Sequence, residues 1–97
     1  MKDEPEKTKY RSKGRIFADI LRAVQKEDKA ITTHILYKSN LSHDRLTKYL
    51  QNLEERGLLK KTEERDKTFY EITDKGRHFL TEFQRMEAFV SGFGLDI

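Results

Sequence analysis

Between Arg15 and Glu27 the apolar residues Ile16, Ile20, Leu21 and Val24 fall at helical spacing, and Phe17 widens the stripe. The chain therefore opens on an amphipathic helix. The run QKEDK is a polar connection, and Ala30-Ile31 suits a short strand. Thr32 or Thr33 is then placed to cap a second helix, THILYK, which buries Ile35 and Leu36. Ser39-Asn40 makes a turn so short that the next helix must lie beside the second at an angle. That third helix follows Ser42, whose hydroxyl can accept from a free amide of the first turn, while Asp44 suits the positive helix end. Gly57 stands where a left-handed C-cap is wanted.

After Gly57 the period changes. Leu58-Leu59 open a strand, and FYEI returns as a second one with Tyr70 and Ile72 on one face. The charged segment EERDK forms the tip of the hairpin between them. Thr73 then caps a last helix running to Val90, roughly 27 Å long at the usual rise. The order is helix, helix, helix, hairpin, helix: a mainly α chain with a small β-hairpin, of the α+β class.

At 97 residues this is one small domain, and with 35% hydrophobic against 38% charged residues its core must be economical. There is no cysteine, which removes disulfides, thiol nucleophiles and thiolate zinc sites. No apolar run approaches membrane-spanning or signal length, which points to a soluble, cytoplasmic protein. Abundant Lys and Glu beside scarce Asn and Gln agree with a thermophilic source.

The net charge of +3 is unevenly spread. Residues 7–15, KTKYRSKGR, carry five bases and no acid, whereas residues 16–97 hold fourteen acids and fourteen bases. Residues 1–14 therefore read as a flexible basic arm, residues 15–72 as the folded domain, and residues 73–97 as a C-terminal helix and tail. The arm is either a solvated tail or a segment that meets a polyanion, with Lys13 and Arg15 at its inner end and Tyr10 able to stack.

At 100° per residue, Leu46, Tyr49, Leu50 and Leu53 make the buried stripe of the third helix, and Asp44, Lys48, Gln51 and Glu55 point opposite. Thr47 and Asn52 lie on the flanks. Amide side chains suit adenine edges, Thr a thymine methyl, Lys guanine or phosphate, and Asp cytosine. A plain solvated face is the other reading. The position tips the balance, because the second helix of a helix–turn–helix unit is the one placed in a DNA major groove. Ser42, His43, Asp44, Arg45, Thr47, Lys48, Gln51 and Asn52 are thus the candidate contacts, with His34 of the second helix near the backbone.

The stretch ILYKSNLSHDRLTKYLQNLEERGLL, the EERDK hairpin and YEITDKGRHFL together resemble an archaeal winged helix-turn-helix domain. They are similar to the family of small DNA-binding proteins first known from Sulfolobus. The resemblance spans roughly residues 15–90. Its most telling pieces are TTHILYKSNLS and the ITDKG start of the last helix, the second shared by many winged-helix regulators. It implies double-stranded DNA binding with the third helix in the major groove, the hairpin as a wing on the backbone, and a homodimer through the last helix. The relatives extend that helix further, whereas here it meets SGFGLDI. Arg65 and Lys67 are the wing residues placed to reach phosphate; the hairpin's acids make a solvated loop the other reading.

Ile72, Gly76, Phe79, Phe83, Met86 and Val90 follow a heptad rhythm. The expected dimer interface is Phe79, Phe83, Met86, Phe89, Val90 and Phe93, apolar residues that run beyond a core this small. Asp74, His78 and Glu82 share a helix edge, but nothing completes a metal shell, and no nucleophilic triad or phosphate loop is present. Neither a metal, a cofactor nor an enzymatic activity is expected. The function is then a transcriptional regulator or chromatin-associated protein bound to the nucleoid, or alternatively a winged-helix module that docks another protein.

Overall fold

The computed structural model describes residues 11–97. Helix α1 spans Lys13–Gln25, strand β1 Ala30–Ile31, α2 Thr32–Ser39, α3 His43–Glu55, β2 Leu59–Glu64, β3 Lys67–Ile72 and α4 Asp74–Ser91. The expected α+β order holds, and three details differ. First, α1 begins at Lys13 and not at Arg15, because the Ser12 hydroxyl accepts from the Arg15 amide at 3.0 Å and starts the helix inside the expected arm. Second, neither Thr32 nor Thr33 caps α2: Ile31 is the N-cap and no side chain bonds there. Third, the expected short strand Ala30–Ile31 joins the hairpin, giving three strands in the order β1-β3-β2. Ala30 pairs with Tyr70 and Ile31 with Phe69, so β1 holds the start of α2 to the hairpin and leaves little need for a side-chain cap.

The core is built around α1. Ile16, Ala18, Ile20, Leu21 and Val24 are essentially inaccessible, and they meet Ile35 of α2, Leu46, Leu50 and Leu53 of α3, Leu59 and Tyr70 of the sheet, and Leu80 and Phe83 of α4. Phe17 packs edge-on to Tyr49 and Phe79, and Phe79 stacks on Phe83. Gly14 makes room for this stack, since a Cβ there would stand 3.1 Å from the Phe83 ring.

The turn from α2 to α3 is closed by Asn40, which adopts φ 58° and ends α2 in the left-handed conformation that Asn tolerates. At the far end of α3, Gly57 has φ +76°. Its amide donates to the Glu54 carbonyl and the Leu58 amide to the Leu53 carbonyl, a Schellman cap with two buried leucines closing over it. The hairpin turns through Arg65 and Asp66, with φ of 50° and 65°, as the two-residue I′ turn requires.

The TDKG segment has a physical reason. The Thr73 hydroxyl accepts from the Gly76 amide at 2.9 Å and donates to the Gly57 carbonyl at 2.6 Å, so one side chain joins the end of α3 to the start of α4. A Cβ on Gly76 would lie 2.2 Å from the Leu58 carbonyl oxygen. Only glycine lets α4 approach that backbone so closely.

Candidate nucleic-acid interface

Ser42 begins α3 as expected: its hydroxyl accepts from the Arg45 amide at 3.3 Å, and Asp44 occupies the first turn. With Leu46, Leu50 and Leu53 turned into the core, Ser42, His43, Asp44, Arg45, Thr47, Lys48 and Gln51 are exposed and Asn52 is half-buried. Several of these side chains are occupied locally. Thr47 donates to the His43 carbonyl at 2.9 Å, and Gln51 donates to Glu55 at 3.2 Å. Asn52 is committed on both ends, donating to the Lys48 carbonyl at 2.9 Å and accepting from Arg56 at 2.8 Å. It therefore braces the helix and positions Arg56, whose guanidinium lies 5.6 Å from the centre of the Phe17 ring. Arg45 covers the Tyr49 ring at 5.9 Å. Lys48, His43 and Asp44 make no side-chain bond among the described residues, so Lys48 is the cation that the face presents most openly.

Arg65 and Lys67 share the tip of the hairpin with Glu64 and Phe69, around an open hollow of about 530 Å³. The β2–β3 register sets Lys60 opposite Glu71 and Glu64 opposite Lys67. The Glu64 carboxylate, however, is held by Lys29, whose Nζ stands 2.7 Å away. That hydrogen bond raises the Lys29 pKa above its ordinary 10.5.

The inner end of the expected arm is partly used by the fold. Asp19 is 2.7 Å from Arg11 and 3.0 Å from Arg22; Glu87 of α4 is 2.8 Å from Arg22 and 3.1 Å from Arg15. Arg11 also donates to the Asn40 carbonyl at 3.3 Å, in the turn before α3. Arg15, still partly exposed, thus links α1 to α4 through Glu87. Lys13 is exposed and lies 5.9 Å from the centre of the Phe17 ring. The rest of the basic segment, Lys7, Lys9 and Tyr10, lies outside the described residues. His34 is exposed with Nδ1 at 3.4 Å from a Glu27 carboxylate oxygen, facing the loop after α1.

On α4 the positions of the heptad rhythm divide between core and surface. Gly76, Leu80 and Phe83 are the buried positions, so Phe83 is a core residue and leaves the expected interface. Phe79 is half-buried in the same aromatic stack, and Val90 is half-buried as well. The outward apolar residues are Met86, Phe89 and Phe93, joined by Leu95, at 50, 67, 71 and 61% exposure. Beside them runs an open apolar groove of about 390 Å³ lined by Leu58, Phe79, Phe83 and Met86, with Lys75, His78 and Glu82 at its edge. The sequence reading also passed over Tyr37, which α2 holds 88% exposed. Its signal was available: Tyr37 lies two residues from buried Ile35, about 200° around the helix.

A three-helix unit, a strand from the first loop completing the hairpin's sheet, and a further helix after the hairpin define a winged helix. The winged helix-turn-helix family model matches residues 10–91, and the chain belongs to that family. Among solved structures, it is similar to Sso10a-2, a DNA-binding protein from Sulfolobus solfataricus, at 28% identity over 87% of this chain and 85% of that one, with a TM-score of 0.76. This agrees with the resemblance to the small Sulfolobus family drawn from the motifs. Its fold is also similar to the transcriptional regulator BldR from Sulfolobus solfataricus (22% identity, 80% and 58% of the two chains, TM-score 0.69). A third likeness is to AF1382 from Archaeoglobus fulgidus (19% identity, 96% and 100% of the two chains, TM-score 0.63). Nothing matches among curated protein sequences. Among the described residues, no helix is long and apolar enough to cross a membrane.

Proposed function

We propose that the chain binds double-stranded DNA as a transcriptional regulator or chromatin-associated protein of the nucleoid, with α3 in the major groove and the hairpin tip on the backbone. The observation that carries this reading is the outward face of α3, where Lys48 stands open among His43, Thr47 and Gln51 on a helix fixed by its own caps. Sso10a-2, similar over most of its length, is described as DNA-binding, which supports the same assignment. In the groove, Gln51 can exchange its Glu55 bond for a base edge, and Lys48 can reach guanine or phosphate. The basic residues before α1 add contacts that carry no sequence information.

Binding to duplex DNA, followed by fluorescence anisotropy across a salt series, tests this. A linear fall of log K with log salt, and relaxed sequence preference for Lys48→Ala or Gln51→Ala, are the expected results. The competing reading, a module that docks a protein through the same face, is favoured by Asp44, Glu54 and Glu55, all exposed on α3. Absence of duplex binding even at low salt would select it.

We also infer a homodimer through the end of α4, with the contact moved to Met86, Phe89, Phe93 and Leu95. Contiguous exposed apolar side chains of this kind mark interfaces, and a two-fold pair would present two α3 helices to a palindromic site. Sedimentation of the wild type against Phe89→Asp reads it; a wild type that stays monomeric at micromolar concentration refutes it.

A further inference from the structure

Glu64 ends β2 directly opposite Lys67, and unlike charges at opposed cross-strand positions attract. Left to itself, the carboxylate would take the tip lysine. Instead Lys29, from the loop before β1, donates to Glu64 Oε2 at 2.7 Å. The same ammonium lies 5.7 Å from the centre of the Phe69 ring, the third side of the tip hollow. Lys29 is therefore held from two directions, by a carboxylate and by an aromatic face. Neither Arg65 nor Lys67 has a carboxylate within ion-pair distance among the described residues. The hairpin's mixed charge conceals this, because the acid opposite Lys67 across the strands is already held by a residue outside the hairpin.

We propose that Lys29 is a positioning residue of the wing: by holding Glu64 it keeps that carboxylate away from Lys67 and Arg65, so that both tip cations face a polyanion. The inference rests on the DNA-binding reading and adds a residue that need not touch DNA. Its signature is dependence on Glu64. In Lys29→Met, which keeps a long apolar stem beside Phe69, Glu64 turns to Lys67. In Glu64→Gln there is no carboxylate to divert, so Lys29 has nothing left to hold.

The test is a double-mutant cycle in duplex affinity and salt slope, with Lys29→Met, Glu64→Gln, the pair together, and Lys67→Ala in the wild-type and Lys29→Met backgrounds. Lys29→Met should weaken binding about threefold, in the range of an exposed ion pair, and lower the salt slope by about 1. Glu64→Gln should bind at least as tightly as wild type, and adding Lys29→Met to it should change little. Lys67→Ala should cost affinity in the wild type and much less after Lys29→Met. Equal losses from Lys29→Met with and without Glu64 would show that Lys29 acts through its own charge and would overturn the proposal. No loss in either background would also overturn it. A wild type that ignores duplex at every salt concentration would overturn the DNA-binding reading and this inference together, whereas binding without coupling removes only the role of Lys29.

Discussion

Helices α3 and α4 are built to one plan and turned to different work. Each starts at a hydroxyl cap, Ser42 or Thr73, with an aspartate in its first turn, and each buries three residues. Their outer faces diverge. Along its 13 residues, α3 shows water only polar and charged groups, several bonded to their own helix; α4, at 18 residues, becomes apolar outside from Met86 onward. The buried stripe places a helix, and the outer face decides what it can meet. A polar face with spare donors suits a hydrated, reversible contact with a polyanion, whereas exposed aromatics suit a protein surface that excludes water.

That contrast can be broken most severely on the buried side of α4. Phe83→Ala removes a ring from the core and should cost about 3–5 kcal/mol in urea unfolding; Phe89→Ala, six residues along but outside, should leave the stability of the monomer nearly unchanged. Gly76→Ala comes next. A methyl group cannot fit against the Leu58 carbonyl, so overpacking should cost about 2 kcal/mol despite the better helix former, seen as a lower urea midpoint. On α3 the effects move from stability to affinity. Lys48→Ala should lose about 1–3 kcal/mol of duplex binding if it makes a good base contact, with unfolding unaltered. Asn52→Ala should show the opposite balance: a small loss of stability through its Lys48 and Arg56 bonds, and little change in base preference.

The smallest effect lies at alkaline pH. Burial is the main cause of Tyr70's raised pKa, with the charges of Glu54 and Glu63 adding to it. Between the unfolded value, near the ordinary 10.0, and the higher folded value, the native state keeps a proton that the unfolded chain has lost. Stability therefore falls as pH rises through that window. Tyr70→Phe should remove this part of the decline. The part due to Lys29, whose folded pKa is also raised, disappears in the same direction and should survive in the Tyr70→Phe protein.

Local rules made much of this fold legible. Ser42, Gly57 and Thr73 are caps whose chemistry acts within a few residues, and the leucines of α3 repeat often enough to fix its orientation. What escaped depends on distant partners. The two-residue strand Ala30–Ile31 was legible, but its pairing with Tyr70 and Phe69 was not. Arg15 looked free because one of its two carboxylate partners, Glu87, lies far along the chain, although the other, Asp19, is only four residues away. Phe83 fitted a heptad seam equally well as a core position, and only the packing of α1, opened by Gly14, decides between them. For the site, the members of the α3 face were readable, whereas the internal engagement of Asn52 and the diversion of Glu64 by Lys29 were not.

The hairpin turn carries one more lesson, for anyone who would reuse this scaffold. Asn-Gly is the pair that such a turn prefers, yet Arg65 and Asp66 stand there with positive φ, each at a cost of about 1 kcal/mol. At residue 66 the demands of backbone and electrostatics coincide: Asp66→Gly relaxes the chain and deletes an acid from the tip. At residue 65 they conflict, since the glycine that would ease the turn would also remove a cation. A design made only for thermal resilience would change both, and would produce a sturdier loop with less to say to a phosphate.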